Sequence, residues 1–258
     1  WLQVLFNPSF PYRFVHMMFA SGLTAAFVTV GLSAWRLLRA PGDAAVLRTL
    51  RTGIVIAAVF APLQIAAGDL HGLNTLEHQP AKIAAIEAIW KTGKGVPLVL
   101  FALPDETRKR NDFAVQVPKG ASLILKHDPD AEIKGLDAFE PDTPPVAPLF
   151  FGFRLMVAVG VAMLLLAWTG AWSLRRGALP PKWLLWTFAA FTFSGWVATL
   201  AGWLVTEMGR QPWLVTGLLR TADSVGRISE AQLGASLTGY AATYAVMLLA
   251  YIVVVTHL

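Results

Sequence analysis

The sequence predicts an all-α membrane protein, a helical bundle of five transmembrane helices carrying one large extracytoplasmic loop. Three observations predict it. Of the 258 residues, 55% are hydrophobic and only 14% charged, against about 25% charged in an ordinary soluble domain. Of the 37 Lys, Arg, Asp and Glu, 21 fall within residues 69–145, so the rest of the chain is too apolar for a water-facing surface. Five runs in that remainder approach the roughly 20 apolar residues a helix needs to cross a hydrocarbon core about 30 Å thick.

The first run, residues 14–38, holds only His16 and Arg36 as ionisable groups. The second, 52–68, is uncharged but short and contains Pro62. The third, 149–174, has one charge, Arg154; the fourth, 183–206, has none and stops at Glu207; the fifth, 231–256, is uncharged. Backbone groups in lipid must be hydrogen-bonded within their own segment or barrel, and runs this long without alternation favour helices over tilted strands. Between the second and third runs lies a polar, proline-rich insertion with nine basic and twelve acidic residues. Its Leu103-Pro104-Asp105, Asp128-Pro129-Asp130 and Pro141-Asp142-Thr143-Pro144-Pro145 stretches read as turns, and residues 80–90 as a short helix. The chain thus divides into residues 1–68 with two spans, the loop at 69–145, and 146–258 with three spans.

Orientation follows from the basic residues of the short loops. Arg36, Arg39, Arg48 and Arg51 between spans one and two, and Arg175, Arg176 and Lys182 between spans three and four, place both loops in the cytoplasm. Residues 1–13, the insertion and residues 210–230 then lie outside. The formal charge of +5 is absorbed by this topology and implies no nucleic-acid partner. The absence of cysteine excludes disulfides, Cys-ligated zinc, iron–sulfur clusters and thiol nucleophiles for this chain.

Ionisable groups inside a bilayer are expensive and mark candidate sites. His16 lies near the outer start of span one, Arg154 and Met156 near the outer start of span three, and Glu207 with Arg210 at the outer end of span four. Antiparallel helices bring these positions to one depth, which predicts one buried site. Taken singly, His16 reads equally as an interfacial histidine donating to a carbonyl, and Met156 as packing. Taken as a pair, an imidazole and a thioether on facing helices can close both axial positions of a low-spin haem iron. Arg154 is about 200° around the helix from Met156, so the two share no ligand atom. It can meet a haem propionate or a carboxylate, or snorkel to headgroups. Glu207 and Arg210, spaced i, i+3 before Pro212, read as a helix-end ion pair, or Glu207 serves a second iron or a proton relay. In the insertion, Glu87 has a helical partner in Lys91 at i+4. Lys82 and Glu87 can frame a quinol headgroup, the carboxylate accepting a hydroxyl proton.

The wording of the sequence is more specific than its periodicity. Arg13-Phe14-Val15-His16, Gly68-Asp69, Gln79-Pro80-Ala81-Lys82-Ile83-Ala84-Ala85-Ile86-Glu87, Phe153-Arg154-Leu155-Met156-Val157, Gly202-Trp203 and Glu207-Met208-Gly209-Arg210-Gln211-Pro212-Trp213 occur in that order along nearly the whole chain. In these stretches it resembles subunit I of cytochrome bd-type quinol oxidases. The resemblance implies that His16 and Met156 are the axial ligands of a low-spin haem b, with Arg154 beside it. It implies that Lys82 and Glu87 belong to the quinol-oxidising Q-loop. Glu207, with Arg210 nearby, would serve a high-spin haem b of an oxygen-reducing pair completed by haem d. The modest loop and its Val96-Pro97-Leu98-Val99-Leu100-Phe101 run resemble the short-loop, cyanide-insensitive branch. Phe151-Gly152 departs from the family's frequent Trp-Ser pair.

The same resemblance implies that Trp1 follows four N-terminal helices of a longer subunit, that this stretch alone is inactive, and that a second membrane subunit completes the oxidase. The expected setting is a bacterial cytoplasmic membrane, with quinol oxidised outside and oxygen reduced to water. Two rival readings stand beside it. One is a b-type haem electron carrier without oxygen chemistry, and the other a cofactor-free transporter binding solute through Arg154 and Glu207.

Overall fold

The computed structural model describes residues 2, 6–175, 179–224, 226 and 228–257; Arg176 of the second basic loop lies outside them. Five helical stretches are long and apolar enough to cross a membrane: Phe10–Arg39, Ala44–His78, Val146–Arg175, Lys182–Met208 and Glu230–Val254. The protein is therefore a multi-pass, mainly helical membrane protein. It divides into two compact units, Trp1–Pro212 and Trp213–Leu258.

In the first unit, helix α1 (Phe10–Arg39) opens with proline in its first turn, where the missing N–H costs nothing. Helix α2 (Ala44–His78) is capped by Asp43, whose side chain accepts from the backbone N–H groups of Ala45 at 3.0 Å and Val46 at 3.1 Å. Pro62 is carried inside this helix. The helix runs ten residues past the predicted end at Gly68, because nothing before Gln79-Pro80 breaks it. Residues 69–78 are polar, yet polarity alone does not stop a helix. The residue before proline is pushed out of the helical region, and Gln79 is the cap, with φ −139° and ψ 60°.

The insertion is better ordered than its turn signals suggested. Helix α3 (Pro80–Ile86) comes first, four residues shorter than the sequence predicts. Short strands β1 (Gly93–Lys94) and β4 (Glu132–Ile133) pair antiparallel. Between them, β2 (Leu98–Asp105) and β3 (Arg110–Val117) form an antiparallel hairpin from Leu98 opposite Val117 to Asp105 opposite Arg110. Leu103-Pro104-Asp105 is thus the end of a strand, and the turn falls just after it. Asp105 closes that turn by accepting from the backbone N–H of Arg108 at 2.8 Å and its Nε at 2.6 Å. These bonds hold its carboxyl below the usual carboxylate range. Helix α4 (Gly120–Lys126) and a 3-10 turn at Leu136–Ala138 complete the insertion.

Helix α5 (Val146–Arg175) follows as one uninterrupted span. The fourth predicted span is split into α6 (Lys182–Ala190) and α7 (Ser194–Met208). At the break, the Thr192 hydroxyl donates to Ala189 O at 2.6 Å and the Ser194 hydroxyl to Phe191 O at 2.7 Å. The backbone N–H of Thr192 turns to Ala189 and that of Ser194 to Phe191. Hydroxyl groups that bond back to carbonyls bend helices in this way.

Packing fixes which ends meet. Val30, Ala34 and Leu37 of α1, Leu50 and Ile54 of α2, and Leu184, Leu185 and Phe188 of α6 form one buried cluster. Both basic loops therefore share one end of the bundle, as the charge pattern requires. At the opposite end, Ile83 to Ile86, Val99, Ala102 and Leu136 of the insertion pack with Val146, Leu149 and Phe150 of α5 and Val205 of α7. The insertion is anchored by its own apolar core against the membrane helices.

The second unit holds a hairpin of β5 (Trp213–Val215) and β6 (Leu219–Arg220), with Gly217 at φ 75° in the turn. The Arg220 guanidinium lies 5.0 Å from the Trp213 ring centroid. A 3-10 turn at Ala222–Ser224 leads towards α8 (Glu230–His257), whose described side chains are all exposed.

Candidate functional site

The sharpest polar feature is built where α3 ends. The backbone N–H of Ile89 returns to Ala84 O at 2.8 Å, and that of Ala88 to Ala85 O at 3.2 Å. Ala88 adopts φ 51°, the left-handed conformation that closes helix C-termini. This turn ends the helix at Ile86, so the predicted i, i+4 pairing of Glu87 with Lys91 does not form. Lys91 is exposed, whereas Glu87 is 7% exposed. The partner of Glu87 is Arg154 of α5, with Nη2 at 3.1 Å from Oε2.

Arg154 is turned inward rather than snorkelling to the surface. Its Nε donates to Val99 O at 3.0 Å, and Nη1 donates to Ile86 O at 2.8 Å and Phe150 O at 3.2 Å. Nη2 also donates to Val99 O. The Phe150 ring lies beneath the guanidinium at 3.4 Å. Of the fates the sequence leaves open for Arg154, the carboxylate partner is the one observed. Burial drives the Glu87 carboxyl upward from the usual carboxylate range, and the charge and hydrogen bond of Arg154 oppose that rise.

A second cluster gathers Arg13 and His16 of α1, His71 of α2, Lys82 of α3, Glu207 of α7 and Arg210 just after it. Lys82 is 5% exposed, and its Nζ donates to Thr206 O at 3.4 Å. Burial lowers its ammonium to about 8, helped by the charges of Arg13 and Arg210 and opposed by Glu207. Gly209 makes this approach possible, since a Cβ there would lie 2.5 Å from Lys82 Cε. Glu207 and Arg210 form the predicted ion pair at 3.1 Å, with both side chains more than a third exposed. Lys82 and Glu87 are both buried, but they answer to different partners.

His16 faces α2. Its Nε2 is 3.1 Å from the Gln64 amide nitrogen, its ring centroid is 5.7 Å from that of His71, and a Cβ on Gly68 would lie 3.2 Å from its Cε1. Its Nδ1 is buried without a hydrogen-bond partner, as are Arg13 Nε, Gln64 Oε1 and Asn74 Oδ1. Met156 faces α7, where a Cβ on Gly202 would lie 2.7 Å from its Sδ. Each proposed donor atom thus sits against a helix face opened by glycine. Sequence reasoning missed His71, Gln64 and Asn74. Gln64 lies inside the predicted second span, and His71 and Asn74 follow on the same helix, which continues beyond Gly68.

The family model of cytochrome bd terminal oxidase subunit I matches residues 1–258. The chain belongs to this family. It is 32% identical over 232 residues to the cytochrome bd ubiquinol oxidase subunit 1 of Bacillus subtilis (strain 168), covering 85% of this chain and 49% of that protein. It is 26% identical to the cytochrome bd-II ubiquinol oxidase subunit 1 of Escherichia coli (strain K12), covering 96% of this chain and 62% of that one. Among solved structures, the bd oxidase from Geobacillus thermodenitrificans superposes with a TM-score of 0.86 at 28% identity, covering 96% of this chain and 57% of that chain. The chain spans about half to three fifths of the length of these relatives. That likeness accounts for the mainly helical, membrane-spanning fold of the chain.

Proposed function

We propose that this chain is part of a haem-containing quinol oxidase subunit of the bacterial cytoplasmic membrane, oxidising quinol at the outer face and passing electrons to oxygen to form water. The observation that carries the reading is the burial of Lys82 and Glu87, 5% and 7% exposed, in an insertion packed on the membrane helices. Buried charged groups of this kind cluster at functional sites. Oxidation of one quinol releases two electrons and two protons. Glu87 takes a hydroxyl proton and Lys82 orients the headgroup. Protons released outside, with those for water drawn from the cytoplasm, separate charge.

The donor set fits haem. Among the described residues no three of His, Cys, Asp and Glu converge as a metal cage, but haem iron asks the protein for only one or two axial donors. The unpartnered buried Nδ1 of His16 and the glycine-bordered thioether of Met156 supply an imidazole and a sulfur. His16 and Met156 would hold a low-spin haem b, and Glu207, with Arg210 beside it, would serve a high-spin haem b acting with haem d. Bound haem supplies one-electron chemistry that carboxylates and amines lack. A second membrane subunit and further helices of the same subunit complete the site. The modest length of the 69–145 insertion and its Val96-Pro97-Leu98-Val99-Leu100-Phe101 run support the short-loop, cyanide-insensitive branch.

The test uses the complete oxidase. His16→Ala and Met156→Leu should each remove the low-spin haem signal from the reduced spectrum, and an unchanged spectrum rejects the ligand role. Lys82→Ala should impair quinol oxidation at least tenfold more than oxygen reduction driven by an artificial donor. Equal loss of both rejects the loop assignment.

A further inference from the structure

Glu87 and Arg154 come from segments 67 residues apart, and the guanidinium opposes the effect of burial on the carboxyl. A guanidinium has five N–H donors. In Arg154 five hydrogen bonds are made, two to Val99 O and one each to Ile86 O, Phe150 O and Glu87 Oε2. No donor remains for another ligand, and the group cannot swing away without releasing two separate stretches of the insertion. The carboxylate is held at one oxygen only. Among the described residues nothing donates to Oε1.

We infer that Arg154 is a positioning residue for Glu87: it anchors Oε2 inside an apolar shell and leaves Oε1 as the oxygen that accepts the hydroxyl proton of quinol. The inference rests on the quinol-site reading above. The other charged groups packed around this turn are engaged elsewhere or exposed. Lys82, on the same segment, answers to Arg13, Arg210 and Glu207. Asp137 of the 3-10 turn accepts from the N–H and hydroxyl of Thr92. Asp112 of β3 pairs with Arg108 and Arg110. His78 bonds back to Asn74, Glu207 pairs with Arg210, and Glu77 and Lys91 are exposed. Among the described residues, Arg154 is the one charge that opposes burial at Glu87.

Without the guanidinium, burial acts alone, Glu87 binds its proton more tightly, and a reaction that needs the carboxylate loses its acid side first. In the complete oxidase, Arg154→Gln should move the acid limb of quinol oxidation to higher pH by about one unit or more. It should also raise, at neutral pH, the infrared band of a protonated carboxyl that Glu87→Gln abolishes. Arg154→Lys restores charge without the fork and should fall between the two. Added to Glu87→Gln, Arg154→Gln should cost less than about twofold, since coupled residues are not additive. An unmoved acid limb with no gain in the band overturns the inference, in Arg154→Lys alone should Arg154→Gln fail to assemble. The two readings fail separately. Wild-type quinol oxidation by Glu87→Gln would sink the quinol site, while the infrared band would still report whether Arg154 keeps this carboxyl ionised.

Discussion

Replacing Lys82 by methionine should make the protein more stable and less active. The side chain is 5% exposed, and burial brings its ammonium from the ordinary 10.5 to about 8. Each unit of such a shift is worth about 1.4 kcal/mol, so holding the charged amine in the fold costs about 3 kcal/mol at neutral pH. Against this stands one hydrogen bond, to Thr206 O at 3.4 Å, worth about 1 kcal/mol at most. Methionine has a similar length and fills the same space beside Gly209. The net gain is about 2 kcal/mol, a rise in the thermal midpoint.

The pH dependence identifies the cause. A folded-state value below the unfolded one means that the unfolded chain binds the proton more tightly. The penalty is therefore complete below pH 8, shrinks as pH rises, and is gone above about 10.5. Thermal midpoints of wild-type and Lys82→Met oxidase, measured side by side from pH 7 to 10.5, should converge. A variant less stable than wild type at pH 7, or an advantage that ignores pH, would refute the reasoning. Retention of so costly a group is expected where activity is bought with stability.

Two further outcomes test other parts of the site. Gly202→Ala places a Cβ 2.7 Å from Met156 Sδ. Because a thioether end moves easily, the thermal midpoint should change little while the low-spin haem spectrum shifts; identical spectra would separate Met156 from the haem. Asn111→Ala removes the acceptor for Trp90 Nε1 at 2.8 Å and the donor to Ala88 O at 2.9 Å, which tie the hairpin to the end of α3. Leaving both unpaired should cost about 1–3 kcal/mol locally and speed proteolysis within the insertion about tenfold, without touching the haem spectrum.

Much of the fold was legible from charge and apolar run length, because lipid accepts so few solutions for a backbone. The basic loops at Arg36–Arg51 and Arg175–Lys182 were placed at one end by charge alone, and packing of Leu37, Leu50 and Leu184 agrees. Interruptions were less legible. Thr192 and Ser194 break the fourth span through hydroxyl bonds to their own carbonyls, and neither residue is a breaker by type. The hairpin was hidden by Pro104, which reads as a turn but sits at the end of a strand opposite Asn111.

At the site, residue type was informative and partnership was not. The local pair Glu207 and Arg210 formed as spaced, since the turn after Met208 keeps them together, the Arg210 N–H donating to Glu207 O at 3.3 Å. Glu87 and Lys91 did not, because the left-handed Ala88 ends the helical geometry on which that spacing depends.

The sequence alone decided which five segments are long and apolar enough to cross a membrane and that a polar insertion separates the second from the third; composition and run length suffice for partition between water and hydrocarbon. Only the tertiary structure decided that Arg154 holds Glu87, that Lys82 lies under Gly209 beside Thr206, and that His16 faces Gln64 and His71. Those pairings depend on how helix faces turn and where helices stop, quantities set by packing between segments far apart in the chain.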